Sequence, residues 1–254
     1  LKIKVGLAKY YVNKKSFIQD LKLVMITVVS LFIPKKMGHY LLMELLKIDN
    51  TEKILMSYKN NGIPITYYKQ KNKGFASARN KAMGLAKGNW IAIIDHDDIC
   101  MPNRLEVQAN HIKTNPDAKL FFADTIHFSD AEPEIRRQFD RIKPCELDLR
   151  SEKAMNNLLI HGCFIDTESV VFNKEAALSV GAFNIEYKYV IDFDFFLRMG
   201  SKYNIFSGSE VISKWRVHKH QATQTMGSIL HDERKRMFNE YFWFCGVTNR
   251  TRFA

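Results

Sequence analysis

The stretch Trp90-Ile91-Ala92-Ile93-Ile94-Asp95-His96-Asp97-Asp98 decides the fold, because an uninterrupted apolar run ends directly in acids. An apolar run of this kind is typical of a strand that is buried on both faces. Open α/β sheets bind ligands outside the carboxyl ends of their strands. Clustered carboxylates repel one another unless a cation or solvent relieves the repulsion. We therefore predict a strand that ends at a hard-cation site, with a solvated acidic turn as the alternative.

The segments around this strand alternate between helical and strand-like patterns, which predicts an α/β fold. Small apolar residues favour a helix from Ala76 to Ala86, and Gly88 can end it. Gly74, just before that helix, permits a close approach of the backbone to a ligand. The other predicted strands are residues 1–5, 65–68, 119–124, 169–172 and 210–215, and the other predicted helices are 52–58, 102–114, 174–179 and 231–244.

Composition permits one substantial core and favours an anionic partner. The chain has 254 residues, of which 46% are hydrophobic, so length alone does not require two domains. The formal net charge of +11 suits a nucleotide, a phosphorylated lipid, a membrane face or a nucleic acid. The basic residues are scattered and form no long arm, so we predict no nucleic-acid partner. An ordinary soluble basic protein is the alternative.

Cysteine usage and hydropathy predict a cytoplasmic protein. None of the four cysteines forms a close pair or a zinc-type spacing, which favours free thiols in a reducing compartment. No cleavable signal is recognised near the first residues. The most apolar stretch, residues 23–33, is too short to span a bilayer. We expect a buried element there, and a location in the cytoplasm with peripheral association at the inner membrane face.

Four segments in order resemble the motifs of family 2 glycosyltransferases. Asn72-Lys73-Gly74 with Ala78-Arg79-Asn80 resembles the family's N-x-G and A-R-N segment. Asp95-His96-Asp97-Asp98 resembles its D-x-D metal motif. Gly181-Ala182-Phe183 with Ile191-Asp192-Phe193-Asp194 resembles its acceptor segment, and Arg216-Val217-His218 its late R-x-H segment. The resemblance covers roughly residues 49–222.

The resemblance implies a GT-A fold, with a single Rossmann-like nucleotide-binding mixed sheet flanked by helices. It implies one domain over residues 1–254, in which 1–100 form the nucleotide-donor half, 101–222 the acceptor half and 223–254 a C-terminal helical extension. It also implies inverting transfer of a sugar from a nucleotide-sugar donor, a UDP-sugar being expected first. The acceptor would be a glycan or a lipid-linked hydroxyl, in cell-surface polysaccharide assembly.

The same resemblance implies a set of site residues. A divalent cation, Mn²⁺ or Mg²⁺, would stabilise the charge on the leaving nucleoside diphosphate. Asp97 is the predicted metal ligand and His218 would complete the site, although a structural histidine is equally expected. The predicted donor-binding residues are Lys73, Gly74, Arg79 and Asp95.

Asp192 is the predicted catalytic base, because it matches the second acid of the family's E-D pair. Inversion requires a base on the face of the donor sugar opposite the leaving group, where it deprotonates the acceptor hydroxyl. The residue also lies near the start of a predicted helix, where the helix dipole favours a carboxylate. The alternative is a purely structural role as an N-cap.

The family pattern breaks down between residues 21 and 48. The family's first two strands end in P-x-Y-N and D-D-G-S, and neither ending is recognisable here. Between Leu21 and Ile48 the only acid is Glu44 and the only glycine is Gly38. We hypothesise that this segment is out of register, through compensating frameshifts or an altered gene. If the segment is genuine, the alternative is a catalytically inactive binding protein with the same fold.

A third function, nucleotidyl transfer to make a sugar nucleotide, would use a related α/β fold. That activity usually goes with a glycine-rich, arginine-bearing phosphate loop near the N-terminus. Residues 1–20 contain no such loop, so we rank this function last.

Overall fold

The computed structural model describes residues 24–31, 39–45, 60, 65–95, 97–218 and 227–244, the first two segments by backbone alone. The predicted strand at residues 1–5 and the predicted helix at 52–58 lie outside this part of the chain. The strands are β1 (Val24–Leu31), β2 (His39–Leu45), β3 (Ile65–Lys69), β4 (Trp90–Asp95), β5 (Ile99–Cys100), β6 (Ala118–Phe128), β7 (Arg136–Arg137), β8 (Val171–Asn173) and β9 (Asn204–Arg216). The helices are α1 (Phe75–Leu85), α2 (Arg104–Thr114), α3 (Lys153–His161), α4 (Lys174–Ser179), α5 (Ile191–Lys202) and α6 (Gly227–Phe244).

One mixed sheet joins these strands, in the order β3-β2-β1-β4-β8-β6-β9-β5, with β7 added beside β6. β4, β6 and β9 run in the same direction, because β8 is antiparallel to both β4 and β6 while β6 and β9 are parallel. Their carboxyl ends therefore share one edge of the sheet. This arrangement is the predicted mixed α/β architecture, and it places the acids after β4 beside the end of β9.

The core lies between the sheet and the helices. The strand residues Ile91, Ile93, Phe122 and Phe172 are almost completely buried and pack in one cluster with helix residues. The rings of Phe172 and Phe195 lie 5.0 Å apart in an edge-to-face arrangement, which fixes α5 on the sheet. Burying each such side chain contributes about 2–3 kcal/mol. The start of α5 is thereby placed on a rigid support.

The N-terminal strands form a hairpin, which differs from the crossover that the resemblance implies. β1 is antiparallel to both β2 and β4. Only seven residues separate the two strands, fewer than the dozen or more that a crossover between parallel strands needs. Ile26 pairs with both Met43 and Asp95, so the carboxyl end of β2 lies level with that of β4. Glu44 thus stands at the same edge of the sheet as the acids.

Candidate active site

The turn after β4 carries the acids of the candidate site. Asp95 is the last residue of β4, and its carbonyl accepts a hydrogen bond from the Asp98 amide at 3.3 Å. Asp95 and Asp97 are half-buried, whereas Asp98 is buried. His96 lies outside the described residues. The predicted strand and its acidic ending are both confirmed by this geometry.

Arg79 connects two segments that are far apart in the sequence. The arginine is 3% exposed and lies on the buried face of α1. Its Nη1 donates to the Asp192 carboxylate, and its Nη2 lies 3.4 Å from both carboxylate oxygens of Asp95. Burial alone would lower the pKa of Arg79, but the charges of Asp192 and Asp95 outweigh it and raise the pKa. Arg79 is therefore a charged bridge between the two acids.

Asp192 occupies the second position of α5, and Val190 is the residue at the N-cap. The N-cap alternative for Asp192 is therefore wrong. Its side chain is 30% exposed, so a solvent-side group can reach it. Asp194 lies in the same turn but is buried, and it is paired with Arg198 and accepts from the Tyr241 hydroxyl at 3.0 Å. Of these two acids, Asp192 is the one available for chemistry.

A reciprocal pair of hydrogen bonds joins α1 to the Gly-Ala-Phe segment. The side-chain amide of Asn80 donates to the Phe183 carbonyl at 2.7 Å and accepts from the Phe183 amide at 2.9 Å. The Phe183 ring also lies 5.5 Å from the Arg79 guanidinium, within cation–π range. Two of the motif segments are thus locked together, a role for Asn80 that its position in the sequence does not reveal.

The end of β9 is fastened to the acidic turn. Nε2 of His218 lies 3.0 Å from the Asp97 carboxylate. The Arg216 amide donates to Asp98 at 2.8 Å, and Nε of Arg216 donates to the Asp97 carbonyl at 2.9 Å. The guanidinium of Arg216 also pairs with Asp130 and lies 4.5 Å from the Phe128 ring. The two predicted metal ligands, Asp97 and His218, are therefore in direct contact.

A buried carboxylate that the sequence analysis missed, Glu168, joins this site from a short turn before β8. One oxygen from each of Asp95, Asp98 and Glu168 lies within 4.8 Å of the others. Burial, then repulsion by Asp166 and Asp95, raises the pKa of Glu168 well above its usual range. Burial, then the charges of Glu168 and Asp97, likewise raises the pKa of Asp98. A shared proton or a cation would relieve this strain.

The donor set fits a divalent cation. Oδ2 of Asp98 is buried and has no hydrogen-bond partner among the described residues, an arrangement that is costly without a proton or an ion. Clustered carboxylate oxygens are the ligands that Mg²⁺ and Mn²⁺ prefer. Asp97 and His218 stand on one side of the turn, while Asp98 and Glu168 stand on its buried side. Either set could contribute ligands to such an ion.

Lys73 and Gly74 lie at the start of α1, beside this edge of the sheet. Gly74 has a φ of +84° and its amide donates to the Asn72 side chain at 2.9 Å. The Lys73 side chain is exposed. The structure thus brings Arg79, Asp95 and Asp192 into one network and Asp97 and His218 into another, whereas Lys73 stands free of described side-chain contacts. The roles of all these residues remain predictions.

Comparison with known proteins identifies the family. The sequence profile described as "Glycosyl transferase family 2" matches residues 47–178, which is just over half of the chain. The chain belongs to glycosyl transferase family 2. This match begins where the recognisable motifs begin and leaves out most of the segment whose pattern is lost.

Curated relatives of this family 2 glycosyltransferase agree with that assignment. An uncharacterized glycosyltransferase of Rickettsia typhi is 30% identical over 185 residues, covering 70% of this chain and 54% of the relative. The amylovoran biosynthesis glycosyltransferase AmsE of Erwinia amylovora is 30% identical over 132 residues, covering 52% of this chain and 46% of the relative. The chain spans about half the length of these relatives.

Two solved structures with a similar fold are complexes with nucleotide sugars. S. aureus TarS (residues 1–349) in complex with UDP-GlcNAc has a TM-score of 0.57 at 15% identity, covering 73% of this chain and 51% of that one. The mannosyltransferase PcManGT of Pyrobaculum calidifontis, in complex with GDP-Man and Mn²⁺, has a TM-score of 0.54 at 16% identity, covering 84% and 56%. At these identities the likeness establishes the GT-A fold alone.

Proposed function

We propose that this family 2 glycosyltransferase transfers a sugar, with inversion, from a nucleotide-sugar donor to a hydroxyl group of a glycan or lipid-linked acceptor. The observation that carries the proposal is the bridge from Asp95 through Arg79 to Asp192. The guanidinium of Arg79 lies between two carboxylates. One is Asp95 at the end of β4, and the other is the accessible Asp192 at the start of α5. This arrangement supports a donor site and a base at the same edge of the sheet.

The proposed base is Asp192, which would accept the proton of the acceptor hydroxyl as that oxygen attacks the sugar carbon. Such a base must reach both solvent and the reacting atoms, and its 30% exposure at a rigid helix start meets that requirement. The bond between the sugar and the nucleoside diphosphate breaks in the same step. Arg79 holds Asp192 in place and is itself buried, so its proposed part is to position the carboxylate.

A divalent cation would be held by Asp97 and His218, and it would stabilise the charge of the leaving diphosphate. The contact between these two side chains, beside a cluster of carboxylates, supports this assignment. The Mn²⁺ in the complex of the mannosyltransferase PcManGT is consistent with it. The basic balance of the chain suits the anionic donor.

The proposed donor is a UDP-sugar, and the proposed pathway is assembly of a cell-surface polysaccharide. The complex of TarS with UDP-GlcNAc supports the first choice, and the naming of AmsE for amylovoran biosynthesis supports the second. GDP-mannose, bound by PcManGT, is the donor to test next.

Calorimetric titration of UDP, UDP-sugars and GDP-mannose, with and without Mn²⁺, tests donor and metal together. We expect binding that requires Mn²⁺ in the wild-type protein and is lost in Asp97→Ala. Asp117→Ala is the matched control, because Asp117 is an exposed acid remote in sequence from the motifs. Binding that is the same with and without Mn²⁺ would reject the metal role. Absence of binding to every nucleotide would instead favour the catalytically inactive alternative.

Asp192→Asn tests the base. The amide keeps the size of the side chain and can still meet Arg79, so we expect donor affinity within about threefold of wild type. Transfer should fall by a factor of at least about 10². Donor hydrolysis and transfer are measured by release of the nucleoside diphosphate without and with acceptor glycans. Loss of donor binding in this variant would reject the assignment.

A further inference from the structure

Three consecutive backbone amides, just before the proposed base, converge on one carboxylate from another helix. Oε1 of Glu233 accepts from the Lys188 amide at 2.8 Å. Oε2 of Glu233 accepts from the Tyr189 amide at 2.8 Å and from the Val190 amide at 3.2 Å. Glu233 belongs to α6, more than forty residues further along the chain.

This carboxylate forms an external cap that anchors the residues leading into α5, whose own sequence supplies no N-cap side chain. The first amides of a helix have no partner within the helix, and a Ser, Thr, Asp or Asn at the N-cap usually satisfies one of them. Here the N-cap is Val190, whose side chain cannot accept a hydrogen bond. Glu233 accepts instead from the amides of the N-cap residue Val190 and of the two residues before it, and its negative charge also suits the positive end of the helix dipole.

Further contacts hold α6 against the same segment. The Tyr187 hydroxyl donates to Glu240 at 2.8 Å, and Nη2 of Arg236 donates to the Glu186 carbonyl at 3.0 Å. The Arg236 guanidinium also lies 4.4 Å from the Tyr187 ring. α6 is therefore held against residues 186–190, which lead into α5. Among these contacts, the amides bound by Glu233 lie nearest to Asp192 in the sequence.

We infer that Glu233 is a positioning residue, which holds the first turn of α5 and so keeps Asp192 in place for proton transfer. This inference rests on the proposed function for the part that concerns the base. It assigns a function to the C-terminal helix, which none of the recognised motifs includes. A small displacement of a base lowers the rate steeply while leaving the donor site intact.

Hydrogen exchange tests the cap without any need for activity. In Glu233→Ala we expect amides 188–194 to exchange about tenfold faster, because loss of a cap shifts local opening by about that factor. Glu233→Gln keeps one acceptor oxygen and should give a smaller increase. Asp232→Asn is the matched control, because Asp232 is the exposed neighbour on the same helix. Unchanged exchange in Glu233→Ala would overturn the inference.

Steady-state kinetics with UDP-GlcNAc as donor and acceptor glycans, followed by release of UDP, test the link to Asp192. We expect kcat to fall about tenfold or more in Glu233→Ala, less in Glu233→Gln and not at all in Asp232→Asn. The KM for the donor should stay within about twofold, and a circular dichroism spectrum that matches wild type excludes general unfolding as the cause of a lower kcat. Faster exchange with unchanged kcat would overturn the positioning role. If wild type transfers no sugar at all, the proposed function fails, and so does the role in catalysis, whereas the exchange result still decides the cap.

Discussion

At the scale of single residues, the buried pair of Asp98 and Glu168 is the most strained feature of the site. Two carboxylates that share a buried position cannot both ionise without a large cost, so one proton is held between them or a cation replaces it. The Arg216 amide partly offsets this cost at Asp98. Because the two carboxylates lie so close together, a bound cation would stabilise the folded protein, and its removal would destabilise it. The stability of the protein therefore reports on whether an ion is bound at this pair.

Glu168→Gln should therefore make the metal-free protein more stable at pH 8 by about 1–3 kcal/mol. The pKa of Glu168 is raised to about 8 in the folded state, so the folded chain keeps a proton that the unfolded chain loses near pH 4. The stability of wild type consequently falls as the pH rises from about 4 to 8, and the variant should lack most of that fall. Urea denaturation at the low and the high end of this pH range, with a chelator present, measures the change in the free energy of unfolding.

Exposed Glu132 provides the control for this experiment, as Glu132→Gln changes the same chemical group at the surface. Addition of Mn²⁺ should stabilise wild type at pH 8 more than it stabilises Glu168→Gln if Glu168 is a ligand. The same pH slope in wild type and Glu168→Gln would show that Glu168 does not hold the proton.

Cys163 and Cys145 should differ sharply in reactivity. Burial, offset only in part by a hydrogen bond from the Ile165 backbone, raises the pKa of the Cys163 thiol to about 12. Cys145 is exposed. Since the thiolate is the reactive form, we expect iodoacetamide at pH 8 to modify Cys145 at least about tenfold faster. Peptide mass mapping over time measures both rates, and equal rates in the folded protein would contradict the half-buried position of Cys163.

At the scale of secondary-structure elements, local pattern predicted α1 and β4 to within about two residues, and it predicted the start of α5 near Asp192. The apolar spacing of these elements and the glycines that bound them are local features of one segment, so the sequence alone is enough to predict them. β6 and β9 extend beyond their predicted limits, because they pair with each other along their length and gain burial from that pairing. The contacts of Glu168 and Glu233 were not predictable, since each depends on the packing of distant segments.

Gly74 precedes α1, and Gly84 lies in its last turn. Substitution by alanine should have opposite effects on stability at these two positions. Gly74 has a φ of +84°, which an L side chain rarely adopts, so Gly74→Ala should cost about 1 kcal/mol. Gly84 is exposed within the helix, so Gly84→Ala should add about 0.5–1 kcal/mol. A methyl group would meet no atom within 4 Å at either position, so packing does not contribute. Urea denaturation compares the two, and changes of the same sign would contradict the backbone geometry.

At the scale of the whole molecule, the acceptor side of the fold was more predictable than the donor side. The four motifs predicted that the carboxyl ends of β4 and β9 meet the start of α5, because each motif has a known position in the family's fold. The hairpin of β1 and β2 had no such guide, and its strand directions follow from a connection too short for a helix. Glu44 illustrates the difference: the sequence shows a lone acid, and only the register places it at the edge of the candidate site.

The charge of the whole chain leads to a final prediction about membranes. Among the described residues, no helix is long and apolar enough to cross a bilayer. The net charge is +11, and Arg234 and Lys235 are exposed on α6. We expect the protein to co-sediment with vesicles containing about 30% anionic lipid at low salt and to be released at about 0.5 M salt.

The position of the basic residues, as well as their number, decides this binding. Each Lys or Arg near an anionic surface contributes about 1 kcal/mol, so reversing Arg234 and Lys235 to Glu should weaken binding more than about tenfold. Reversal of Lys87 and Lys113, which are exposed elsewhere, is the matched control because it changes the net charge equally. Equal losses in the two double variants would indicate that net charge alone attracts the protein. A loss confined to the α6 pair would make the helix that caps α5 the membrane-facing element as well.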